Sequence, residues 1–480
     1  MNLLTKNSVN KRESLLRYYG ITLGQKPSIE DYNAAAGDYK AIMLSNLLFI
    51  IERFERNKSY PWIDTKYNLI TGSDADESDP FCGKNAVYSW IQGRALESLS
   101  ILADWIKNNC DDPDCGSLAQ RTDKVLKTVL ESVLAAREKN CGHMFFCISP
   151  SGRACFVEPK GSVREVKLDE DSPYNFSDLF CSKGIYAAAC YLNDRKLMRT
   201  GREYISRVEH AIWNGSFRTD QPQTDPLNPV GNKNGRNGYS HFMIQIGAIC
   251  LLMKNEPDIE TADRALKLID YILENYVNCT KQFKELEQYD FCEYIDNSGK
   301  PYKQDEHILC DVGHVLEFVG LTLKFAALCR CFNGITQQQL SHIREIEMLV
   351  PKIFVHHFNL GFNTQAGGIY KLFDLRSRSA YNPTMPWWSL PETIRAALLC
   401  MNLPAGNNLG DELENIFIKS HNAFINNYIN SSKNLLAYQT IDENALPVNV
   451  IPAVPDLDPN YHTGLSLLES IGLITKPAGK

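Results

Sequence analysis

The sequence predicts an all-α protein in which six helical hairpins close into one ring. Three observations favour this fold: helical segments follow one another along the chain, every second segment is apolar on nearly all sides, and a marker residue recurs near the start of the apolar segments. The markers His241, His314, Trp388 and His462 are 73, 74 and 74 positions apart. A helix that is apolar all round needs neighbours on every side, so we expect the apolar segments to form an inner ring.

Twelve helices are predicted from the apolar period and from the turn residues between the segments. We expect helices at residues 39–57, 88–107, 117–138, 178–192, 200–213, 239–254, 258–277, 313–331, 336–357, 388–402, 410–429 and 461–471. One clear β signal interrupts them, in which two short apolar stretches flank Pro150-Ser151-Gly152 and predict a β-hairpin near 143–158. The even spacing favours a single domain over residues 1–480, although the length alone would allow two or three.

The bulk composition is that of an ordinary globular protein and excludes some partners. Hydrophobic residues make up 44% of the chain and charged residues 22%, which is ample for a large core. The net charge of -7, without a Lys/Arg cluster, argues against a nucleic-acid partner. The sequence leaves a homodimer open.

The cysteines and the N-terminus point to a cytoplasmic protein. The fifteen cysteines are odd in number, and several of them, such as Cys190, Cys250, Cys329 and Cys400, lie in apolar helical runs, so we expect mostly reduced thiols. The first twenty residues have no apolar core or cleavage site typical of a secretory signal. The apolar run at 42–51 is too short to span a bilayer, so no membrane partner is expected.

The helix predicted at 313–331 places two chemically useful residues in its first turn. Asp311 can cap this helix, and His314 and Glu317 are three positions apart on one face. We therefore expect the Glu317 carboxylate to hydrogen-bond the imidazole, while the helix N-terminus disfavours imidazolium and keeps the ring neutral. The alternative interpretation is a buried histidine that its neighbour merely satisfies.

If all six inner helices begin at the same end of the ring, their first turns face one cavity. The residues expected to meet there come from distant parts of the chain: Arg94, Asp178, His241, His314, Glu317, Trp388, Glu392 and His462. For Asp178, a role as a helix cap is as plausible as a substrate contact. Glu392 could accept a hydrogen bond from a sugar hydroxyl or from a buried backbone N–H.

Five motifs in sequence resemble the N-acylglucosamine 2-epimerase family. They are YSWIQGRALESL at 88–99, DVGHVLEF at 311–318, GGIY at 367–370, PWWSLPETIRAAL at 386–398 and NYHTG at 460–464. The resemblance implies an (α/α)6 barrel with sugar chemistry at its mouth. It also implies that His314 and His462 are the acid/base pair, that Arg94 binds the sugar near its reacting oxygens, and that Tyr88 is a further candidate for substrate binding.

The same residues suit the chemistry when it is considered without the family. Inverting a carbon next to an aldehyde requires removal of its proton, an enediolate, and return of a proton to the opposite face. Two histidines can serve both faces near neutral pH, and Arg94 can supply a fixed cation for the enediolate oxygens. Trp387 and Trp388 offer a stacking surface for a sugar ring, although one of them could simply be packing.

Other chemistries compete with the interpretation as a sugar isomerase. The sequence has no H-E-x-x-H, adjacent His356 and His357 point about 100° apart on a helix, and no phosphate-binding glycine loop occurs, so neither a metal nor a redox cofactor is expected. A glycoside hydrolase on the same barrel would use two carboxylates drawn from Asp178, Glu317 and Glu392. A non-catalytic sugar-binding protein is the third possibility.

Overall fold

A computed structural model describes residues 21, 26–57, 59–79, 81–110, 113–157, 162–222, 227, 229–403, 408–450 and 457–475. Within these ranges it contains twelve α-helices, one for each predicted segment. In chain order they are α1 Ile29–Arg56, α2 Ser89–Asn109, α3 Pro113–Lys139, α4 Phe176–Tyr191, α5 Arg195–Trp213, α6 Ser240–Asn255, α7 Ile259–Tyr276, α8 Val312–Cys331, α9 Gln337–Gly361, α10 Ser389–Met401, α11 Gly410–Ala423 and α12 Ser466–Thr475.

The even-numbered helices form the inner ring, as the sequence predicts. Helices α2, α4, α6, α8, α10 and α12 each pack on the next, and a π-helical turn at Tyr461–Leu465, just before α12, packs on α2 and closes the ring. Each inner helix also packs on an odd-numbered outer helix, and α12 takes α1 as its partner. The predicted ring of six helical hairpins, the (α/α)6 barrel, is therefore confirmed.

Local capping explains where the helices begin and why some predicted boundaries are off. Helix α1 starts ten residues before its predicted position because Ser28 and Asp31 form a capping box ahead of an alanine-rich turn. Asp311 caps α8 as predicted, its side chain accepting a hydrogen bond from the His314 backbone N–H. At the other end of the chain, the last two predicted helices each contain a π-helical turn, Phe424–Tyr428 after α11 and Tyr461–Leu465 before α12.

Short strands join the helices and carry more β structure than the sequence predicts. The described residues include seventeen strands: β1 Tyr67–Asn68, β2 Ser73–Asp74, β3 Val87–Tyr88, β4 Cys147–Ile148, β5 Cys155–Val157, β6 Val163–Glu165, β7 Asn237–Gly238, β8 Tyr294–Ile295, β9 Leu309–Cys310, β10 Phe362–Asn363, β11 Gly368–Ile369, β12 Leu372–Asp374, β13 Ser379–Asn382, β14 Met385–Pro386, β15 Ile429–Asn430, β16 Leu436–Ala437 and β17 Thr440–Ile441. Most are two residues long, which is too short for an alternating pattern to show in the sequence.

The predicted hairpin is present, but its strands have other main partners. Ile148 bridges Ala154 in antiparallel fashion around a turn where Gly152 has φ +86°. Strand β4 pairs with β3, however, and β5 pairs with β6. The hairpin thus ties the start of α2 to the segment that leads towards α4.

Two of the helices are long and apolar enough, by length and composition, to cross a membrane. These are α1 and α8, whose most apolar windows are 83% and 72% buried inside the protein. Such burial is typical of core helices, which pass the same test.

The cysteine prediction needs one correction: Cys110 and Cys115, where the chain turns between α2 and α3, form a disulfide, whereas the other thirteen cysteines carry thiols.

Candidate active site

A cavity of about 840 Å³ lies at the end of the ring where the inner helices begin. Every inner helix supplies wall residues from its first turns or from the residues just before it: Trp90 and Arg94, Phe176 and Phe180, His241 and Met243, His314 and Glu317, Trp387 and Trp388, and Tyr461 and His462. The loop at 215–238 and short strands complete the wall, contributing Glu293, Tyr294 and Lys371 among others. The prediction that first turns from distant parts of the chain meet at one cavity is confirmed by this arrangement.

His314 is held by carboxylates other than the predicted one. Its Nδ1 lies 3.1 Å from Glu293 Oε1 and 3.5 Å from Asp311 Oδ2. The expected hydrogen bond from His314 to Glu317 is not formed. Side chains on a helix lean towards its N-terminus, so the imidazole leans towards the strands before α8, whereas Glu317 lies one turn further along the helix.

The same carboxylates correct the expectation of a neutral imidazole. Burial lowers the pKa of His314, but the charges of Asp311 and Glu293 outweigh it and raise that pKa to about 9. Two nearby carboxylates exert a stronger field than the partial charge of a helix N-terminus. The His314 ring therefore carries a proton near neutral pH and can act as an acid.

His462 has a carboxylate partner of its own beneath the cavity wall. Its Nδ1 lies 3.1 Å from Glu392 Oε1, which also accepts a hydrogen bond from Ser466 Oγ at 3.0 Å. Burial raises the pKa of Glu392, but the charges of Arg395 and His462 outweigh it and keep the pKa below its usual value. Glu392 is only 3% exposed and does not line the cavity. Its Oε1 atom is engaged by His462 and Ser466, and its Oε2 atom pairs with Arg395. A sugar contact from Glu392 therefore stays a prediction that its position does not support.

Both histidines present the same ring nitrogen to the cavity. With Nδ1 of His314 and of His462 directed at a carboxylate, Nε2 is the atom available for a substrate. Among the hydrogen bonds of the described residues, neither Nε2 atom has a protein partner.

Trp388 lies between the two histidines. Its ring centroid is 5.6 Å from that of His314 and 5.3 Å from that of His462. The neighbouring Trp387 also lines the cavity and donates its indole N–H to Thr463 Oγ1 at 3.0 Å. Helices α8 and α12 thus present their histidines on either side of the start of α10, as their separation by two hairpins predicts.

Arg94 is a cation in an aromatic setting. Its guanidinium lies 4.3 Å from the ring centroid of Phe180 and 5.5 Å from that of Tyr461. Burial lowers the pKa of Arg94, but an arginine keeps its charge at any ordinary pH. Its buried Nε has no hydrogen-bond partner in the described part of the chain. The side chain is therefore placed to offer N–H groups to a ligand.

Of three further predicted residues, His241 lines the cavity, whereas Tyr88 and Asp178 do not. His241 lines it, stacked on Phe217 with centroids 5.1 Å apart, and burial lowers its pKa to about 3, so the ring is neutral. Tyr88 lies outside the wall, where its hydroxyl donates to the Phe81 carbonyl oxygen. Substrate binding by Tyr88 stays a prediction that its position outside the wall does not support.

Asp178 also lies outside the cavity wall, and its role is structural. The side chain is fully buried and accepts hydrogen bonds from the Met144 backbone N–H at 2.7 Å and from the Tyr204 hydroxyl. It also completes the capping box that Asn175 begins at the start of α4. Of the two roles considered for Asp178, the structure shows capping. A sugar contact stays a prediction that the position of Asp178 outside the wall does not support.

Sequence reasoning missed several residues of the site. Glu293 and Lys371 come from short strands and loops, and Lys371 Nζ donates to Asp311 Oδ2 at 2.5 Å. Tyr461, next to His462 in a quoted motif, accepts a hydrogen bond from Lys183 Nζ at 2.6 Å. The motif around Tyr461 was a usable signal, whereas nothing in the sequence marks Glu293 or Lys371.

Glu317 lines the cavity beside His462 rather than beside His314. One ligand atom from each of Glu317, Glu392 and His462 lies within 4.8 Å of the other two, which is close enough for a shared metal ion. Burial raises the pKa of Glu317, and the charge of Glu392 raises it further. Arg395 already pairs with Glu392. The absence of a catalytic metal stays a prediction.

Comparison with known proteins supports the fold. No family model and no curated protein sequence matches the chain. Among solved structures, it is similar to a cellobiose 2-epimerase from Spirochaeta thermophila DSM 6192, with a TM-score of 0.64, 12% identity, and coverage of 93% of this chain and 98% of that one. It is similar to a D-mannose isomerase, with a TM-score of 0.58, 14% identity, and coverage of 89% and 97%. An α-1,2-mannosidase from Trichoderma reesei reaches a TM-score of 0.50 at 10% identity, over 93% and 94%. The predicted resemblance is confirmed at the level of the fold.

Proposed function

We propose that the protein is a carbohydrate isomerase that moves the proton on C2 of an aldose or N-acylhexosamine, as a 2-epimerase or an aldose-ketose isomerase. The observation that carries this proposal is the pair of histidines beside Trp388. Each is held at Nδ1 by a buried carboxylate, Glu293 for His314 and Glu392 for His462, and so offers Nε2 to a sugar between them. The similar epimerase and isomerase structures agree with this proposal without establishing it.

The two histidines have different roles in the proposed reaction. His314, which is protonated between Glu293 and Asp311, is the acid. The Nδ1 atom of His462 lies against Glu392, so we assign its Nε2 atom as the base. After ring opening, His462 Nε2 takes the C2 proton and the C–H electron pair moves into an enediolate. His314 then gives a proton to C2 from the opposite face, which yields the epimer. In the reverse direction the two roles exchange.

Arg94 and Trp388 supply the binding that such a step needs. The Arg94 cation, surrounded by aromatic rings and lacking a hydrogen bond at Nε, can stabilise the negative charge that develops on the enediolate oxygens. The Trp388 ring between the histidines can support the sugar by stacking. Aldose-ketose isomerisation uses the same parts, with the proton returned to C1 instead of C2.

The positions of the carboxylates favour the isomerase over a hydrolase. A glycosidase needs two carboxyl groups that flank the scissile bond inside the cavity. Of the three candidates, Glu317 lines the cavity, whereas Asp178 and Glu392 do not. The other acidic wall residues, Glu293 and Asp311, are engaged by His314 and Lys371.

The test is NMR in D2O with a panel of aldoses and N-acylhexosamines. We expect one sugar to be converted to its C2 epimer or ketose, with deuterium from the solvent incorporated during conversion. Cleavage of oligosaccharides without exchange at C2 would replace the proposal with a hydrolase. Measurable binding without turnover of any sugar would replace it with a binding protein.

A further inference from the structure

We propose that the sugar carries a negatively charged group, a carboxylate or a phosphate, remote from C1 and C2. Arg218, Lys233 and Arg236, in the described parts of the loop at 215–222 and 229–238, bind that group. This inference rests on the proposed function for the position of C1 and C2. The charge of the remote group and its position are inferred from the cations of the cavity wall.

The loop brings three cations to the wall: Arg218, Lys233 and Arg236. Within the described residues, none of the three has a carboxylate within ion-pair distance. Arg236 instead donates to Gln304 Oε1 at 3.1 Å and lies 4.6 Å from the ring centroid of Tyr294. Lys233 Nζ lies 5.6 Å from the ring centroid of Tyr302. Arg218 Nη1 donates to the carbonyl oxygens of Gly215 and Phe217, both at 2.7 Å. These contacts orient the three side chains, and no carboxylate of the described residues pairs with them.

Hydrogen bonds within the loop hold the cations together. Asn232 Nδ2 donates to the Thr219 carbonyl oxygen at 2.8 Å, and the Thr219 N–H donates back to Asn232 Oδ1 at 3.4 Å. This pair fixes the segment that carries Arg218 beside the segment that carries Lys233. Arg236 in turn donates to the Gly231 carbonyl oxygen. The cluster is therefore a folded feature of the cavity mouth.

The acidic residues of the wall do not neutralise the loop. Glu293 and Asp311 already pair with His314 and Lys371, and Glu317 lies at the His462 side. The whole chain nevertheless has a net charge of -7. A positive wall in a negatively charged protein attracts anions into the cleft and orients them.

The cavity has room for such a group beyond the sugar carbons that react. Its volume of about 840 Å³ is near the upper end of the range of roughly 300–1,000 Å³ found for small-molecule sites. The planar guanidinium groups of Arg218 and Arg236 match the paired oxygens of a carboxylate or phosphate. A neutral sugar would leave these cations without an anionic partner among the described residues.

Titration calorimetry with glucose, glucuronate and glucose 6-phosphate tests the inference independently of turnover. We expect at least one charged sugar to bind about tenfold or more tightly than glucose, because hydrogen bonds to charged groups are the stronger kind. The preference should weaken as salt is raised. The charged sugar that binds more tightly identifies the group as a carboxylate or a phosphate.

Variants of Arg218 and Arg236 test whether these residues cause the preference for charged sugars. Arg236→Gln and Arg218→Gln should each weaken binding of the charged sugar about tenfold while leaving glucose binding nearly unchanged. Arg199→Gln, on the exposed outer face of α5, is the matched control and should change neither. Equal binding of glucose and both charged sugars would overturn the inference, as would equal effects of the loop variants and the control. If glucose exchanges its C2 proton and the charged sugars bind no more tightly than glucose, this inference fails and the proposed function stands. If charged sugars bind through the loop but none exchanges at C2, the proposed function fails.

Discussion

Glu293 and His314 are joined by a contact of 3.1 Å between Oε1 and Nδ1, although they come from different elements. Glu293 precedes the short strand β8 and is only 4% exposed. Its second oxygen, Oε2, is buried and has no hydrogen-bond partner among the described residues. A carboxylate in this position keeps the imidazolium form of His314 stable.

Replacing Glu293 by Gln should lower the pKa of His314 from about 9. Asp311, the other carboxylate at this ring, would remain, and Lys371 and burial would oppose it, so the pKa should fall towards its ordinary value without a large overshoot. Titration of the imidazole followed by NMR measures the shift, and the basic limb of the kcat/KM profile should move to lower pH with it.

The same variant has a consequence for stability with a defined sign. Because the pKa of folded His314 is above the ordinary value of about 6.5, its protonation stabilises the fold below that pH, and the stabilisation is lost as the pH rises through 9. Glu293→Gln should reduce this contribution.

Asp270→Asn, which removes a carboxylate 2.9 Å from His342 outside the cavity, is the control and should leave the kcat/KM profile unchanged. A His314 titration that Glu293→Gln does not move would show that Asp311 alone sets the charge.

Replacing either of the two proposed catalytic histidines by Asn should lower kcat by about 10² to 10⁴, since each is expected to transfer a proton. In an epimerase, a one-sided variant should still exchange the C2 proton of one epimer with D2O while failing to form the other. Exchange measured from both epimers would then assign one face of the sugar to His314 and the other to His462. If both variants turn over at the parent rate, the two-histidine mechanism is wrong, and Glu317 becomes the next candidate base.

Asp178→Asn should weaken the fold without changing the chemistry. The substitution removes the charge that accepts hydrogen bonds from the Met144 N–H and the Tyr204 hydroxyl, so we expect a loss of about 1–3 kcal/mol in the free energy of unfolding. Urea unfolding measures that loss, and kcat per folded molecule should stay at the parent value. A lower kcat with unchanged stability would instead restore Asp178 as a sugar contact.

The sequence predicted the ring well because its signals are local. An apolar period and all-round apolarity are properties of each segment by itself, and the recurrence of His241, His314, Trp388 and His462 places the segment starts in register. Four of the proposed catalytic and binding residues at these starts, His314, His462, Trp388 and Arg94, therefore line the cavity.

The partners of the histidines were not predictable in the same way. Glu293 is 21 positions before His314, beside a strand of two residues that has no period of its own. Glu317, on the same helix, was the local choice, but the direction in which helical side chains lean decides against it. Position within a first turn also does not say whether a side chain faces inward. For Asp178 and Glu392 the sequence therefore left both a sugar contact and a structural role open.

Buried Asp38 offers a test of stability away from the cavity. It lies in α1, is 3% exposed, and its Oδ2 has no hydrogen-bond partner in the described part of the protein; burial raises its pKa to about 7. Folding therefore favours the protonated form, and stability should fall as the pH rises from about 4 through 7. Asp38→Asn should remove on the order of 2 kcal/mol from the difference in unfolding free energy between pH 5 and pH 8. Urea unfolding at both pH values measures this, and exposed Asp411→Asn, as the control, should leave the difference unchanged.

Gly313 sets the position of the tryptophan between the two histidines. A Cβ atom added at Gly313 would lie 2.6 Å from Trp388 Cη2 and 3.0 Å from Cζ3, which is closer than two carbon atoms approach. In Gly313→Ala the Trp388 ring must therefore move away from the start of α8. Because that ring contacts the imidazoles of His314 and His462, its movement changes the position of a stacked sugar relative to both.

Gly313→Ala should therefore lower kcat/KM about tenfold to hundredfold, since a displacement of about 1 Å at a reacting centre has effects of that size. The backbone offers no other reason for a loss, because alanine is favoured over glycine within a helix. Gly37→Ala provides the matched control: this exposed glycine in α1 has nothing within 4 Å of an added Cβ, so the substitution should stabilise the fold by about 0.5–1 kcal/mol and leave kcat/KM unchanged. Parent-like kcat/KM in Gly313→Ala would mean that the sugar does not depend on the position of Trp388. The role of that ring between the histidines would then be packing alone.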